Sequence, residues 1–238
     1  MGDFALQITG IKFSIAGHEF VIGWAVQLQW ALMIVIAIAL YLLTKKLEKV
    51  PKGKQVLVEK LVTTVYGLVE NTMGKSYRNF APYIGTLMIF ILFMNFTPLI
   101  GGIKAPTTDY GVPLALAIMT FVIIQANAIK KTGGFGHYLK GYASPTPVLL
   151  PLNIIERVFV PVSLSLRLFG NVTAAVIVME LLYHGLEYVS SLVFGSIPVF
   201  AALIPIPFHM FFDLFDGTLQ MLIFSMLTMI FVKTTAEH

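Results

Sequence analysis

The feature that most constrains this chain is a series of long segments without a single charged residue. Residues 21–44, 79–103 and 110–129 are 24, 25 and 20 residues long and contain no Asp, Glu, Lys or Arg. A helix of about 20 apolar residues crosses the hydrocarbon core of a bilayer. Only 12% of the whole chain is charged, about half the fraction typical of a soluble domain. We therefore predict an all-α integral membrane protein.

Two further crossings are predicted in the second half of the chain. Residues 158–179 carry one charge, Arg167, and the helical pattern continues to residue 186. Residues 198–232 form a long apolar segment that contains Pro205 and Pro207. A helix of that length would span about 50 Å against a core of about 30 Å, so it must tilt strongly or be broken. We expect five crossings, the last two long and tilted, or six if residues 188–204 cross alone.

The stretch between the first two crossings is polar and basic. Its apolar residues recur at helical spacing: Val56, Leu57, Leu61, Val65, Leu68 and Val69. This pattern predicts an amphipathic helix at residues 52–75 that lies on the membrane surface. Residues 130–147 are rich in Gly and Pro and lack a Gly-Lys-Ser/Thr phosphate loop, so they are interpreted as a plain loop. The whole chain, residues 1–238, is expected to form a single membrane domain.

The distribution of basic residues predicts the orientation. With the N-terminus outside, 13 of the 16 Lys and Arg residues fall on the inside, and only Lys12 and Lys104 fall outside. We therefore expect an external N-terminus and a cytoplasmic C-terminus. The lysines lie in loops between apolar runs, so topology explains them and we expect no nucleic-acid partner. The absence of cysteine excludes thiolate metal sites and cysteine nucleophiles.

Arg167 is the most informative single residue, because it is the tenth of 22 residues in a predicted membrane helix. A guanidinium at that depth costs about 2.5–3.5 kcal/mol on insertion scales, and it does not lose its proton in proteins. Such a cation either neutralises a buried carboxylate of the same chain or belongs to an ion pathway. We favour the ion pathway.

On the helix face that carries this arginine, polar residues lie toward the inside surface, and small residues lie beyond the arginine. Glu156, Val160 and Ser163 precede it at steps of 4 and 3 and share one stripe that starts at the inside surface. Gly170 and Ala174 continue the same face. Small residues let another helix approach closely, although ordinary helix packing would also explain them.

A second polar stripe lies further along the same helix. Glu180 is thirteen residues beyond Arg167, about 220° around the helix, and so faces a different direction. Glu180, His184 and Glu187 follow each other at steps of 4 and 3 and lead to the outside surface. A helix end that surfaces into water is the alternative, which we favour for Glu187.

The last helix carries a comparable polar face. Its members are spaced 4, 3 and 4 residues apart: His209, Asp213, Asp216 and Gln220. The same face is apolar beyond Gln220, so the stripe stops part-way through the membrane. Gln220 is thirteen residues from Lys233, about 20 Å along a helix, which places it near the predicted depth of Arg167.

These stripes predict two polar tracks, one reaching the middle of the membrane from the inside and the other from the outside. The two tracks lie on different faces of the membrane helices. The inner track runs through Glu156 and Ser163, and the outer track runs through Glu180, His184, Asp213, Asp216 and Gln220. A fixed cation stands between them, an arrangement of two half-channels rather than one pore. A secondary transporter for an anionic substrate is the alternative, but it predicts an internal repeat that the sequence lacks. An intramembrane enzyme would need a nucleophile–base pair or a metal triad at one depth, and His184 and His209 have no second histidine motif to support them.

Four segments carry a resemblance to a known family. Residues 161–171 (PVSLSLRLFGN) and 218–224 (TLQMLIF) closely resemble signatures of the a subunit of bacterial F-type ATP synthases. Residues 95–99 (NFTPL) and 151–156 (PLNIIE) also resemble family segments. With the chain length and helix layout, the resemblance covers nearly the whole chain.

The resemblance implies a non-enzymatic stator subunit in a bacterial plasma membrane. Its expected partners are a rotating ring of c subunits, the peripheral-stalk b subunits, other ATP synthase subunits and the lipid bilayer. Arg167 would match the essential arginine of the family, with Asn171 and Gln220 as its polar neighbours on the outer side. Glu156 and Ser163 would belong to the inner access path. No cofactor or metal is expected.

Two positions depart from the family pattern. Members often carry an acid nine residues after the arginine, where this chain has Val176, and often have His where it has Asp213. Glu180 lies one turn beyond Val176, so Glu180 and Asp213 are expected together to replace the usual acid–histidine pair. The transported ion is H⁺ or Na⁺, and we expect H⁺.

Overall fold

The computed structural model describes residues 11–15, 18–45, 47–100, 103–136, 138, 148, 150–195 and 199–237. Lys46, residues 101–102, most of the predicted 130–147 loop including Lys140, and Pro198 lie outside the described residues. Five described helical segments are long and apolar enough to cross a membrane: Trp24–Thr44, Lys75–Asn95, Gly111–Lys131, Leu150–Val193 and Phe200–Ala236. The predicted all-α membrane fold is therefore confirmed.

A short antiparallel hairpin precedes the helices. Strand β1 (Ile11–Ile15) pairs with β2 (His18–Ile22), with Ile11 opposite Ile22. The sequence analysis began the first crossing at residue 21, and this boundary is corrected. Val21 and Ile22 are β-branched residues that suit a strand, and helix α1 (Trp24–Thr44) begins only after Gly23.

The second helix, α2 (Lys54–Met73), occupies the predicted amphipathic segment. Glycines with positive φ flank it, Gly53 at 56° and Gly74 at 100°, a conformation that residues with a Cβ rarely adopt. Its C-terminal half buries Val65 and Val69, whereas Leu57 is exposed near its start. The predicted apolar stripe is therefore divided between the protein core and the surface.

The next two helices supply most of the core. A 3₁₀ segment (Lys75–Phe80) leads into α3 (Ala81–Asn95), and α4 (Gly111–Lys131) follows a second 3₁₀ turn at Thr97–Ile100 and a third at Pro106–Thr108. The second predicted crossing, residues 79–103, thus starts earlier and ends earlier than expected. Pro98 cannot donate a helical hydrogen bond, which explains why α3 stops before it.

Helix α5 (Leu150–Phe194) is 45 residues long and includes Pro161. At 1.5 Å per residue it extends about 68 Å, more than twice a core of about 30 Å, so it can stay within the membrane only by tilting. It is longer at both ends than the predicted segment 158–186. Its buried face carries Leu164 and Leu168, each 1% exposed.

The C-terminal segment is one long helical run, Phe200–Ala236, whose helix type changes along its length. Two short helices, α6 (Val199–Leu203) and α7 (Pro205–His209), precede a π-helical segment (Met210–Asp216) and then α8 (Gly217–Glu237). The hydrogen-bonding pattern is interrupted at Ile204, directly before Pro205, which lacks an N–H. The backbone of Ile204 stays helical, with φ of −66° and ψ of −36°. Residues 188–204 are divided between the end of α5 and α6, so the described residues contain no separate sixth crossing there.

Helices α3, α4 and α8 pack around one apolar core, and α5 packs against α4. Ile84, Ile91, Ile124, Met229 and Val232 are among its fully buried members. In α1, by contrast, only Ala25 is buried among the described residues, and Ile34, Val35 and Leu42 are exposed. Exposed apolar side chains on a membrane helix face lipid or a partner helix.

Candidate functional site

One face of α5 packs on the protein and the opposite face is open. Ser165 is fully buried, its Oγ lies 3.4 Å from the Oη of Tyr110, and Phe169 packs edge-on against the same tyrosine ring. The open stripe recurs at helical spacing and is exposed throughout: Val162, Ser163, Leu166, Arg167, Gly170, Asn171 and Ala174. The packing against α4 thus fixes which face of the helix is presented outward.

Arg167 lies in the middle of this open stripe. The guanidinium is exposed and forms no hydrogen bond or ion pair with any other residue that the structure describes. Nine of the twelve Asp and Glu residues have described side chains, and none of them pairs with it. Among these residues, the arginine does not neutralise a carboxylate of its own chain.

The surface around the arginine carries small side chains with open space beside them. A Cβ added at Gly170 would meet no atom within 4 Å, so the space beside it is open. Asn171 and Ala174 are exposed on the same stripe. A second helix can therefore approach the backbone of α5 closely at this level.

The predicted inner residues share this open side of α5. Glu156 and Ser163 are both exposed, in the same direction as the arginine. Val160, which the spacing placed on the same stripe, is instead 9% exposed and belongs to the core. Its direction does not explain this burial, because Val160 is only about 20° from Arg167 around the helix.

A cavity of about 250 Å³ lies on the other side of α5. Its α5 wall is formed by Val172, Ala175, Val176, Met179, Glu180 and Tyr183. The facing wall comes from the C-terminal helical segment and includes His209, Phe212, Asp213, Asp216 and Gly217. The mouth is completed by Asn95, Pro98 and residues 103–105. Val176 is nine residues from Arg167, about 180° around the helix, so the cavity and the arginine face opposite directions.

The structure brings Glu180, Asp213 and Asp216 to this one cavity, as the outer track requires. Glu180 forms an ion pair of 3.7 Å with Lys104, and both side chains are about 60% exposed. An exposed pair of this kind contributes little stability, about 0–1 kcal/mol. It places a cation and a carboxylate together at the edge of the cavity.

Asp213 is largely buried, with 14% of its side chain exposed. Its Oδ2 lies 2.7 Å from Nδ1 of His209, and Nε2 of the same imidazole lies 3.1 Å from the hydroxyl of Tyr183. The hydroxyl is on α5 and the imidazole ends α7, so this chain of polar atoms joins the two walls. The side chain of Asp216 is hydrogen-bonded to that of Gln220, which lies one helical turn further along the chain. Gln220 is 3% exposed.

The segment that holds Asp213 and Asp216 is a π-helix rather than the regular helix assumed from the sequence. Single π-helical turns are rare and occur frequently at functional sites. The wider turn is held at its end by Asn95, whose Nδ2 donates to the carbonyl of Gly217 at 3.2 Å. Thr107 Oγ1 in turn donates to Oδ1 of Asn95 at 3.2 Å.

Three predicted outer residues do not line the cavity: His184, Asn171 and Gln220, of which Gln220 is buried. His184 and Asn171 are both exposed. Sequence reasoning in turn missed three wall residues, Tyr183, Asn95 and Lys104. Tyr183 follows Glu180 by three residues, so helical spacing contained the signal for it. The other two come from a different part of the chain, and only the fold brings them there.

The described residues hold no group of three His, Cys, Asp or Glu side chains placed to bind a metal ion. The polar groups of the cavity are instead carboxylates, an imidazole, a phenol and amides. Such groups can accept and donate protons or coordinate a small cation.

Comparisons with known proteins identify the family. The family model described as "ATP synthase A chain" matches residues 26–233. ATP synthase subunit a of Moorella thermoacetica is 37% identical over 203 residues, covering 85% of this chain and 86% of that protein. ATP synthase subunit a 2 of Bradyrhizobium sp. is 32% identical over 85% and 84% of the two chains. The sodium-ion-specific subunit a of Propionigenium modestum is 32% identical over 86% and 71%. The chain belongs to the ATP synthase A chain family and is a multi-pass membrane subunit of that complex.

Proposed function

We propose that this chain is the proton-conducting stator subunit that faces a rotating ring of c subunits. The observation that carries the proposal is the position of Arg167. It is an exposed cation well inside the long membrane helix α5, without an ionic partner among the described side chains. A permanent charge in a bilayer requires a partner, so the carboxylate that meets it belongs to another subunit.

The proposed mechanism follows from the charge of the arginine. A rotor carboxylate at about 4 Å from the guanidinium gains about 4 kcal/mol in its charged form at an effective dielectric near 20. This lowers its affinity for a proton about a thousandfold. The carboxylate therefore discharges its proton before it passes Arg167 and cannot carry it directly from one half-channel to the other. Ion flow becomes tied to rotation of the ring.

The cavity is the proposed outer half-channel. Glu180 and Asp213 lie in its two walls and supply acids where the family often has an acid and a histidine. Val176, at the usual position of the acid, lines the same cavity next to Glu180. Asp216 and Gln220 extend the polar path from the cavity into the membrane, and His184 and Asn171 would serve only at its two ends.

The proposed inner half-channel runs along the open stripe of α5. Glu156 and Ser163 are exposed below the arginine and would border a water path once the ring covers this face. The two half-channels would then lie on opposite sides of one helix. Protons entering by one must ride the ring to reach the other.

The assembly places further expectations on the chain. The C-terminus is proposed to be cytoplasmic and the N-terminus external. In this orientation 13 basic residues lie on the cytoplasmic side and two lie outside. The c ring would cover the open stripe, peripheral-stalk b subunits would contact other exposed helix faces, and a bacterial plasma membrane would surround both. The transporter alternative needs the arginine inside a substrate pocket, and Arg167 is not part of the cavity wall.

A cross-linking experiment tests which face meets the rotor. Ala174 is exposed on the open stripe, and its neighbour Ala175 lines the cavity. The chain has no cysteine, so each can be replaced by Cys as a single reactive site. With a second cysteine near the rotor carboxylate, Ala174→Cys should form a disulfide with the c subunit and Ala175→Cys should not. Cross-linking from Ala175→Cys alone would contradict the proposed arrangement.

A further inference from the structure

Two residues of the cavity wall, Tyr183 and His209, have no role in the mechanism above. The imidazole of His209 lies between a phenol and a carboxylate, 3.1 Å from Tyr183 Oη and 2.7 Å from Asp213 Oδ2. The rings of Tyr183 and His209 also pack against each other, with centroids 5.9 Å apart. Three side chains from two walls are thus joined into one hydrogen-bonded series.

The contact with Asp213 bears on which ring nitrogen of His209 is protonated. When Asp213 is ionised it only accepts hydrogen bonds, and Nδ1 of His209 then carries a proton. The basic lone pair is then on Nε2, which points toward the hydroxyl of Tyr183. The hydroxyl donates to Nε2 when the ring is neutral and accepts from it when the ring is protonated. In both states each nitrogen of the imidazole keeps a hydrogen-bonding partner.

We propose that His209 is the proton-carrying residue of the cavity, with Asp213 and Tyr183 as the residues that position it. The proposal rests on the proposed function and deepens it by naming the residue that takes up the ion. Nε2 takes one proton from a hydronium ion in the cavity water and the ring becomes imidazolium. It then returns that proton from Nε2 to water on the way to the carboxylate of Asp216. One proton enters and one leaves, Asp213 stays ionised, and only O–H and N–H bonds change.

The position of His209 suits this task. It is 40% exposed, so cavity water reaches it, whereas its partner Asp213 is largely buried. The other titratable groups of the cavity wall come from three parts of the chain: Lys104, Glu180, Tyr183, Asp213 and Asp216. The lysine is held at the edge by Glu180. Lys104 therefore does not belong to the hydrogen-bonded series of Tyr183, His209 and Asp213, and it does not compete with the imidazole for the carboxylate of Asp213.

Chemical rescue tests the proposal. His209→Ala would leave a ring-sized space in the cavity wall, into which added imidazole fits. In vesicles with assembled complexes, His209→Ala should slow ATP-driven proton uptake about a hundredfold, the lower end of the range for loss of a positioned acid–base group. Imidazole should restore most of the rate. Pyrazole has the same shape but is a far weaker base, and it should not. Normal rates in His209→Ala, or equal rescue by pyrazole, would overturn the proposal.

A second pair of variants covers the case in which His209→Ala does not assemble. Tyr183→Phe keeps the ring and removes only the hydroxyl that contacts Nε2. Tyr188→Phe removes an equivalent hydroxyl from an exposed position on the same helix, 67% exposed. Proton uptake should fall several-fold in the first variant and stay normal in the second. Equal rates in the two would overturn the relay.

Arg167→Ala, measured alongside, separates this proposal from the proposed function. If Arg167→Ala abolishes coupled synthesis while His209→Ala conducts normally, only the relay is wrong. If Arg167→Ala retains coupled synthesis, the proposed function itself is wrong.

Discussion

Gly170→Leu is expected to uncouple the complex without harming the fold of the chain. Gly170 is one turn from Arg167 on the open stripe of α5, and a Cβ there would meet nothing within 4 Å. Replacing a glycine inside a helix with a residue of higher helix propensity is favourable by roughly 0.5–1 kcal/mol. The chain alone should therefore be at least as stable as before.

The cost arises only where the rotor helix approaches. A leucine side chain at this position would hold the rotor carboxylate back, and we take a displacement from about 4 Å to about 7 Å from Arg167. At an effective dielectric near 20 the attraction falls from about 4.2 to about 2.4 kcal/mol. The loss of about 1.8 kcal/mol corresponds to a change of roughly twentyfold in the proton equilibrium of the carboxylate.

The assay is ATP synthesis driven by a proton gradient in vesicles that contain assembled complexes. From the loss of about 1.8 kcal/mol, Gly170→Leu should lower the rate of ATP synthesis by about an order of magnitude. The subunit content of the complex should not change. Gly67→Leu is the matched control, because a Cβ at Gly67 in α2 also meets nothing within 4 Å and this helix is distant in sequence from the stripe. Normal synthesis by assembled Gly170→Leu would refute the inference that a helix packs closely beside the arginine.

Three further predictions concern the cavity, the topology and the support of the π-helix. The double variant Asp213→Leu, Glu180→Leu should slow proton flux while assembly persists, since both carboxylates line one cavity; normal flux would place the channel elsewhere. A cysteine replacing exposed Lys130 should label only from the cytoplasm, and one replacing exposed Asp109 only from outside; the opposite labelling would invert the topology. Asn95→Ala removes one of the donors to the carbonyl of Gly217 and leaves the hydroxyl of Thr107 without its acceptor, and that unsatisfied hydroxyl should cost about 1–3 kcal/mol. Its melting temperature in detergent should fall, whereas Thr86→Ala, which removes only a bond within its own helix turn, should not change it; equal melting would mean that Asn95 does not support the segment.

The crossings could be predicted because charge exclusion from a bilayer is a strong and local rule. An uncharged run of 20 or more residues has few alternatives to a membrane helix, so residues 110–129 differ little from the observed Gly111–Lys131. The end of strand His18–Ile22 was assigned to the first crossing because Val21 and Ile22 are as apolar as the helix that follows. Apolar character alone does not separate a short strand from the start of a helix.

The candidate site could be predicted only where one helix determines it. Spacing alone placed Glu180 and Arg167 on different sides of α5, and in the structure one lines the cavity and the other lies on the open stripe. The contact between Glu180 and Lys104 and the support of Gly217 by Asn95 join distant parts of the chain, which helical periodicity cannot reveal. The π-helix at Met210–Asp216 likewise depends on its surroundings, because no local sequence rule specifies it.

The measurement that tests the central claim most directly is coupled ATP synthesis by Arg167→Ala. The arginine has no ionic partner among the described residues of its own chain, so its removal should leave assembly intact, in contrast to the loss of one member of a buried pair. Arg167→Lys should restore little, because an ammonium is a point charge that lacks the planar fork of the guanidinium. If Arg167 separates two half-channels, assembled Arg167→Ala complexes should make no ATP from a proton gradient and should leak protons passively. Near-normal synthesis by assembled Arg167→Ala complexes would contradict the account.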